Sequence, residues 1–396
     1  MQPLAISRLS IVNSLGAGLS ATATALRDRR SGLVPCAFEN VALDTYVGQV
    51  AGLEDVRVRS DLADYDCRNN RLAQVGLQQD GFVEAIDEAI KKYGADRIGV
   101  FMGTSTSGIL QTELAYRRRD PQTGALPADF HYAQTQNTYS LADFVQRYFG
   151  LKGPSVVVSS ACSSTAKVFG NAARMMAAGV CDAAIVGGVD TLCLTTLYGF
   201  NSLGLVSHSP CRPYDEKRDG ISLGEGAGFA LLEKQSANSA GDIMLLGIGE
   251  SSDAYHMSTP HPEGLGAKLA IQRALNSAGL HPEDIDYINL HGTSTKSNDA
   301  SEDKAVYSMF GGDTPCSSTK GWTGHLLGAA GITEAIISIL SIENGLLPGS
   351  LNTQNLDPEL KSNYQLNNRT MPINRVLSNS FGFGGSNCSL VLGRSS

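Results

Sequence analysis

One cysteine, two histidines, a lysine and a glutamate stand in settings where side chains can do chemistry. Cys162 lies in GPSVVVSSACSSTAKVFGNAARMMAAG. The β-branched run Val156–Val158 predicts a buried strand. From Thr165 to Ala178 apolar residues such as Ala166, Phe169, Ala173 and Met176 recur at helical spacing. The thiol therefore falls where a strand ends and a helix begins, among Ser159, Ser160, Ser163 and Ser164. Unpaired N–H groups and the helix dipole favour negative charge there. Such a setting can lower a cysteine from its ordinary ~8.5 to roughly 3.5–7.5. Strand–turn–helix elbows present nucleophiles in this way. The competing reading is a small buried core cysteine.

The second half of the chain supplies the remaining groups. His291 opens HGTSTKSND directly after Tyr287–Leu290, which reads as a strand. A histidine there is placed for a site at a sheet edge, or is simply a turn residue bonded to its own loop. Thr293 and Thr295 alternate in direction if the chain stays extended, with hydroxyls free for an amide-bearing ligand or for ordinary turn bonds. His325 follows Lys320 by five residues, and Glu334 comes nine later among Ala330, Ile332, Ile336 and Ile337. A carboxylate in such apolar company is costly to bury alone. Lys320 is its natural partner, which would put an ion pair beside His325. The alternative is a polar stripe facing water. In SNSFGFGGSNCSLVLG, the glycines Gly382, Gly384 and Gly385 permit close backbone approach or a gate around Phe383. A tight turn without chemistry fits the same residues.

The elements that must hold these groups follow an alternating pattern. Arg97–Met102 and Ala183–Val189 read as strands, and Leu265–Ala278 as a helix with a face at Leu265, Leu269, Leu275 and Ala278. Alternation of this kind predicts an α/β fold. SSACSSTAKVFGNAARMMAAGV is echoed by CSSTKGWTGHLLGAAGITEAIISI, which suggests a duplicated unit with halves meeting around 235–255, divided as 1–245 and 246–396. The 396 residues suffice for a large core, and a net charge of −8 argues against a general nucleic-acid binder. Two basic clusters, Arg27, Arg29 and Arg30, then Arg117, Arg118 and Arg119, read as solvated surface. The start lacks the basic-then-apolar order of a signal peptide. The longest apolar candidate for a membrane span, Ala183–Val206, is broken by Asp190, Asn201 and glycines. Eight cysteines without a CxxC pair suggest reduced thiols in the cytoplasm, and no close Cys/His pair suggests a metal. GEGAG at 224–228 lacks the βαβ context of a nucleotide loop.

Five segments in order resemble the β-ketoacyl-acyl-carrier-protein synthases, condensing enzymes of the thiolase superfamily. They are GPS…ACSS at Cys162, RPYDEKRDGISLGEGAG at 212–228, LHGTST at His291, KGWTGHLLGAAG with Lys320 and His325, and NSFGFGGSN at 379–387. The resemblance implies a thiolase-like, five-layered αβαβα fold of two similar halves. It also implies a dimer in which the strand before the nucleophile pairs across the interface. Cys162 would accept an acyl chain from acyl-carrier protein. His291 and His325 would hold the malonyl thioester during decarboxylation, and the carbanion would attack acyl-Cys162. The N–H groups of Cys162 and Phe383 would form the oxyanion hole. Lys320 with Glu334 would organise the second histidine, and Thr293 and Thr295 would contact the pantetheine arm. Phe383 would gate the pocket, with Phe200 and Thr106 near the acyl tunnel. No cofactor is implied beyond the carrier's phosphopantetheine arm.

Two departures concern substrate. GTSTSG at 103–108 replaces a more glycine-rich segment, and Ile221 stands where an aromatic residue is usual. These details are more similar to condensing enzymes of bacterial polyene-pigment clusters, which often pair with an inactive chain-length-factor subunit. Arg68, Arg71 and Arg212 are the candidates for docking the acidic carrier. The rival functions are a non-decarboxylating acyltransferase and a non-catalytic partner subunit.

Overall fold

A computed structural model of the chain describes residues 1–235 and 241–395. Residues 236–240, within the expected junction of the halves, lie outside the described residues. The main sheet is built on β1 (Leu4–Asn13), β2 (Ile98–Gly103), β3 (Ser155–Val158), β4 (Ala183–Asp190) and β5 (Gly226–Lys234). It continues with β6 (Ile243–Ser252), β7 (Tyr287–Asn289), β8 (Pro315–Ser317), β9 (Arg375–Gly382) and β10 (Ser386–Arg394). The order across it is β8-β7-β9-β10-β6-β1-β5-β4-β2-β3.

That order contains a repeat. From β1 outward, β5 and then β4 pair antiparallel, after which β2 and β3 follow parallel. From β6 outward, β10 and then β9 pair antiparallel, after which β7 and β8 follow parallel. Only Leu4↔Leu245 and Ala5↔Met244 stitch β1 to β6. Since β6 starts at Ile243, a boundary at 245/246 cuts inside a strand.

Helices α1 (Arg68–Leu77) and α2 (Ser140–Phe149) cover the outer face of the first half. Helices α3 (Ser164–Ala177) and α6 (Ala330–Asn344) lie between the halves. Helix α4 (Leu265–Ala278), with α5 (Lys296–Phe310) stacked on it, covers the outer face of the second half. The layers thus run helix, sheet, helix, sheet, helix, with one apolar core beneath each outer helical layer and a third around the central helices, shared by both sheets. Between α3 and α6 the approach is close: a Cβ on Gly331 would sit 2.6 Å from the Ala166 amide nitrogen.

Three expectations need correction. Strand β3 is half-buried, because it ends the sheet and has β2 on one side only. Leu265 and Leu269 of α4 are exposed, whereas Ala267, Ala270 and Ala274 face the sheet. The reason is proximity, since a Cβ on Gly249 would lie 1.9 Å from the Ala270 carbonyl oxygen and leaves room only for small side chains. Finally, residues 183–206 form β4 and a short helix, Leu194–Ser202. The one described stretch long and apolar enough to cross a bilayer is Leu327–Asn344, and it is 89% buried inside the molecule. Both arginine clusters are exposed.

Candidate active site

Cys162 and His291 follow the C-terminal ends of parallel strands, where α/β sheets place their ligands. After β3 the chain turns sharply through Ala161, whose φ of +52° is unusual for a residue with a side chain. The flanking serines staple this elbow. Ser164 Oγ accepts from Ser160 N at 2.9 Å and donates to the Ala161 carbonyl at 2.6 Å, while Ser163 Oγ donates to the Ser160 carbonyl at 2.9 Å. Cys162 is left at the head of α3.

His291 follows β7, and its backbone is fixed by Glu302 of α5. That buried carboxylate accepts from His291 N at 2.7 Å, Gly292 N at 2.8 Å and the Tyr214 hydroxyl at 2.9 Å. His325 sits between the short helix Lys320–Thr323 and α6. Its N–H donates to the Ser222 carbonyl at 2.7 Å, and its own carbonyl accepts from Gly224 N at 3.0 Å. Two glycines of GEGAG, Gly224 and Gly226, make room for this segment. A Cβ on Gly224 would lie 2.4 Å from the Thr323 carbonyl, and one on Gly226 would lie 2.4 Å from Leu326 Cδ2. Arg68, Tyr214 and Arg218 of the neighbouring framework are likewise spent on buried carboxylates.

His325 Nε2 lies 3.0 Å from Cys162 Sγ. The two imidazoles stand edge to face with ring centres 5.4 Å apart. Lys320 Nζ contacts Glu334, the His291 carbonyl and, at 3.3 Å, His291 Nδ1. The ion pair therefore organises His291, the first histidine, and not His325 as expected. Helix α6 carries Glu334 into the gap behind His291, which decides the matter. An ammonium facing Nδ1 requires that nitrogen to accept, so the ring proton sits on Nε2.

Burial pushes the Cys162 thiol up to about 11, opposed by the Phe383 N–H and the Lys320 charge. The thiol is therefore protonated at neutral pH, contrary to the lowered value expected at a helix N-terminus. Loss of water around the sulfur is the largest cause. Burial and the Lys320 ammonium hold both histidines well below their ordinary range, so both are neutral. Burial also raises Glu334, against the attraction of Lys320. The ligating atoms of Cys162, His291 and His325 lie within 4.8 Å of one another. A search for close sequence pairs misses this grouping. The ammonium behind His291 weighs against a cation at its centre.

These residues share the lining of one pocket. Phe200, Ile221, Thr293, Thr295 and Phe383 line it. Thr293 and Thr295 do not alternate in direction: Ser294 takes a φ of +71°, which brings their hydroxyls to 2.9 Å. Phe383 is partly exposed and meets Phe200 edge to face at 5.9 Å between ring centres. Thr106 does not line the cavity, because its hydroxyl is bound to Asp190 at 2.7 Å. Arg68 is no docking residue. It is buried and pairs with Glu225 at 2.6 Å and Glu54 at 2.9 Å. Arg71 is held by Asp66 at 2.6 Å, and Arg212 donates to Ser209 Oγ at 2.6 Å. The sequence reading missed Glu302 and Asp190. Asp190 was signalled by a carboxylate closing an apolar, small-residue strand, whereas Glu302 lies in the polar run Asp299–Lys304 and carries no such signal.

Residues 1–238 match the family described as beta-ketoacyl synthase, N-terminal domain, and residues 243–354 match its C-terminal domain. The 3-oxoacyl-[acyl-carrier-protein] synthase 2 of Coxiella burnetii is 33% identical over 98% of both chains. That of Staphylococcus aureus is 35% identical over 78% of this chain and 80% of its own. A ketosynthase solved in complex with its chain length factor, from Xenorhabdus doucetiae, covers 100% of this chain and 98% of its own, at 37% identity and a TM-score of 0.89. A beta-ketoacyl synthase from Burkholderia phymatum superposes over 100% of both chains with 29% identity and a TM-score of 0.88. The fold, the two family matches and these full-length relatives agree, and the chain belongs to the β-ketoacyl synthase family of condensing enzymes.

Proposed function

We propose that Cys162 carries the growing acyl chain and that His291 and His325 drive decarboxylation of a malonyl thioester beside it. The observation that carries this reading is the meeting of one thiol and two neutral imidazoles at the floor of one cavity. In the first half-reaction, Cys162 attacks the thioester of an acyl-carrier protein while its proton passes to His325 Nε2. The carrier leaves as its thiol and takes that proton. In the second, the acylated Cys162 no longer needs His325 Nε2 as an acceptor, and with the ring proton on that nitrogen the malonyl thioester oxygen accepts from both His291 Nε2–H and His325 Nε2–H. Loss of carbon dioxide leaves an enolate stabilised by these donors. Its carbon attacks the acyl-Cys162 carbonyl, the oxyanion rests on the N–H groups of Cys162 and Phe383, and collapse expels Cys162 as a thiolate, which takes a proton from solvent. Each oxyanion donor of this type is worth roughly 2.7–4 kcal/mol of barrier.

Thr293 and Thr295 are assigned to the pantetheine arm and Phe383 to the gate. Phe200 and Ile221 are assigned to the acyl pocket. The smaller Ile221 supports an acyl chain other than the ordinary saturated one, such as a polyene. The half-exposed β3 edge supports a dimer, with a second copy or a chain-length-factor-like subunit. We place the enzyme in the cytoplasm, acting on carrier-bound substrates with no resident cofactor, in two units divided near Ile243. Incubation with a panel of saturated and polyunsaturated acyl-carrier proteins tests this reading by mass spectrometry. An acyl adduct on Cys162 is expected, most complete with unsaturated chains. Acyl uptake without later carbon dioxide release would favour the plain acyltransferase, and no uptake with any primer or partner subunit would favour the non-catalytic subunit.

A further inference from the structure

Asp190 ends β4 with its carboxylate buried, and among the described residues no lysine or arginine pairs with it. One oxygen accepts from Thr104 Oγ1 at 2.9 Å, Ser105 N at 2.8 Å, Thr106 N at 2.8 Å and Thr106 Oγ1 at 2.7 Å. The other accepts from Gly328 N at 2.5 Å, in the loop that leaves His325. On its far side the Gly328 carbonyl accepts from Thr165 Oγ1 at 2.6 Å, in the first turn of the helix behind Cys162. Ser105 Oγ closes the circuit by donating to the Ala161 carbonyl at 3.3 Å. A Cβ on Gly328 would lie 2.7 Å from the carboxylate, so this contact requires glycine.

We propose that Asp190 is a positioning residue that locks the His325 loop to the Cys162 elbow and so sets the separation of imidazole and thiol. The departure GTSTSG acquires a physical meaning: its two threonine hydroxyls and two amides hold this carboxylate in place of a cation. The inference rests on His325 acting on Cys162, and its test avoids carbon–carbon bond formation. Asp190→Asn keeps the shape but has one acceptor oxygen, so either the Thr104–Thr106 turn or Gly328 N faces a donor instead.

The experiment is the rate at which iodoacetamide labels Cys162, read by peptide mass spectrometry on the intact protein, with Tm as a check of folding. Labelling in Asp190→Asn is expected to slow by roughly 10- to 100-fold, the scale of a small misplacement transmitted from outside the chemistry. Thr165→Val, which breaks the Gly328 link from the other side, should slow it likewise. The slowing should vanish in a His325→Ala background, as it must if Asp190 acts through that ring. A rate equal to wild type overturns the proposal, and so does a faster one, which would mean Asp190 acts only by opposing thiolate charge. An additive loss in the double variant overturns it too. Should Asp190→Asn fail to fold, normal labelling of Thr165→Val overturns the proposal by itself. If the labelling pattern holds while condensation is absent, the functional reading fails and the positioning role stands.

Discussion

At the scale of single residues, the resting thiol must give up a proton before it reacts. With Cys162 pushed up to about 11, the thiolate fraction is small at neutral pH and grows with every unit of pH below that value. Labelling by a small alkylating agent should therefore climb through pH 9 without a plateau, by roughly tenfold per pH unit. A plateau near pH 7 would show a thiolate already formed. The two histidines should separate by half-reaction. His291→Ala removes the enolate donor and should stop carbon dioxide release while sparing acyl uptake, whereas His325→Ala touches the thiol itself and should slow both. Isotope-labelled malonyl-carrier protein and intact mass read these steps independently. The Lys320–Glu334 pair makes a stability statement. Lys320→Met leaves a carboxylate buried without its cation, which typically costs about 3–5 kcal/mol and would appear as a lower Tm.

At the scale of elements, glycines let the layers approach closely enough to assemble the site. Gly249→Ala drives a methyl group into the Ala270 carbonyl of α4, and overpacking of this kind costs about 1–3 kcal/mol, visible in chemical denaturation. Gly224→Ala presses on the Thr323 carbonyl and should displace His325, with condensation falling more than stability. The sequence marked these elements well and their surroundings less well. Leu265–Ala278 was legible as a helix to its end residues. Its buried face was not, because that face follows from Gly247 and Gly249 on β6, far away in sequence. The nucleophile elbow was legible from its strand–serine–helix pattern. The direction of the Cys162 shift was not, since burial is a property of the assembled layers. Lys320 and Glu334 were recognisable as a pair from composition alone. Which histidine they serve depended on how α6 crosses β7. Thr293 and Thr295 were misread because the left-handed turn at Ser294 leaves no glycine signature.

At the scale of the whole molecule, the repeated strand order brings the C-terminal ends of two parallel strand sets face to face. The duplicated first half supplies the thiol and the second supplies both rings. At the far edge, β3 has a free side. The Pro154 and Val158 carbonyls accept from Val100 and Thr104, so Val157 between them directs its own N–H away from the sheet. Val157→Pro removes that donor, and light scattering should then report dissociation of the proposed dimer. An unchanged mass would place the interface elsewhere. The central claim, that one cavity holds acyl-Cys162 while the histidines decarboxylate its partner, is tested most directly in a single turnover. Protein acylated on Cys162 and freed of excess primer is mixed with malonyl-carrier protein. Loss of the adduct, carbon dioxide release and appearance of a ketoacyl chain on the carrier should proceed together and in equal amounts. Carbon dioxide released while the adduct persists, or an adduct lost to water with no extended product, would contradict the account.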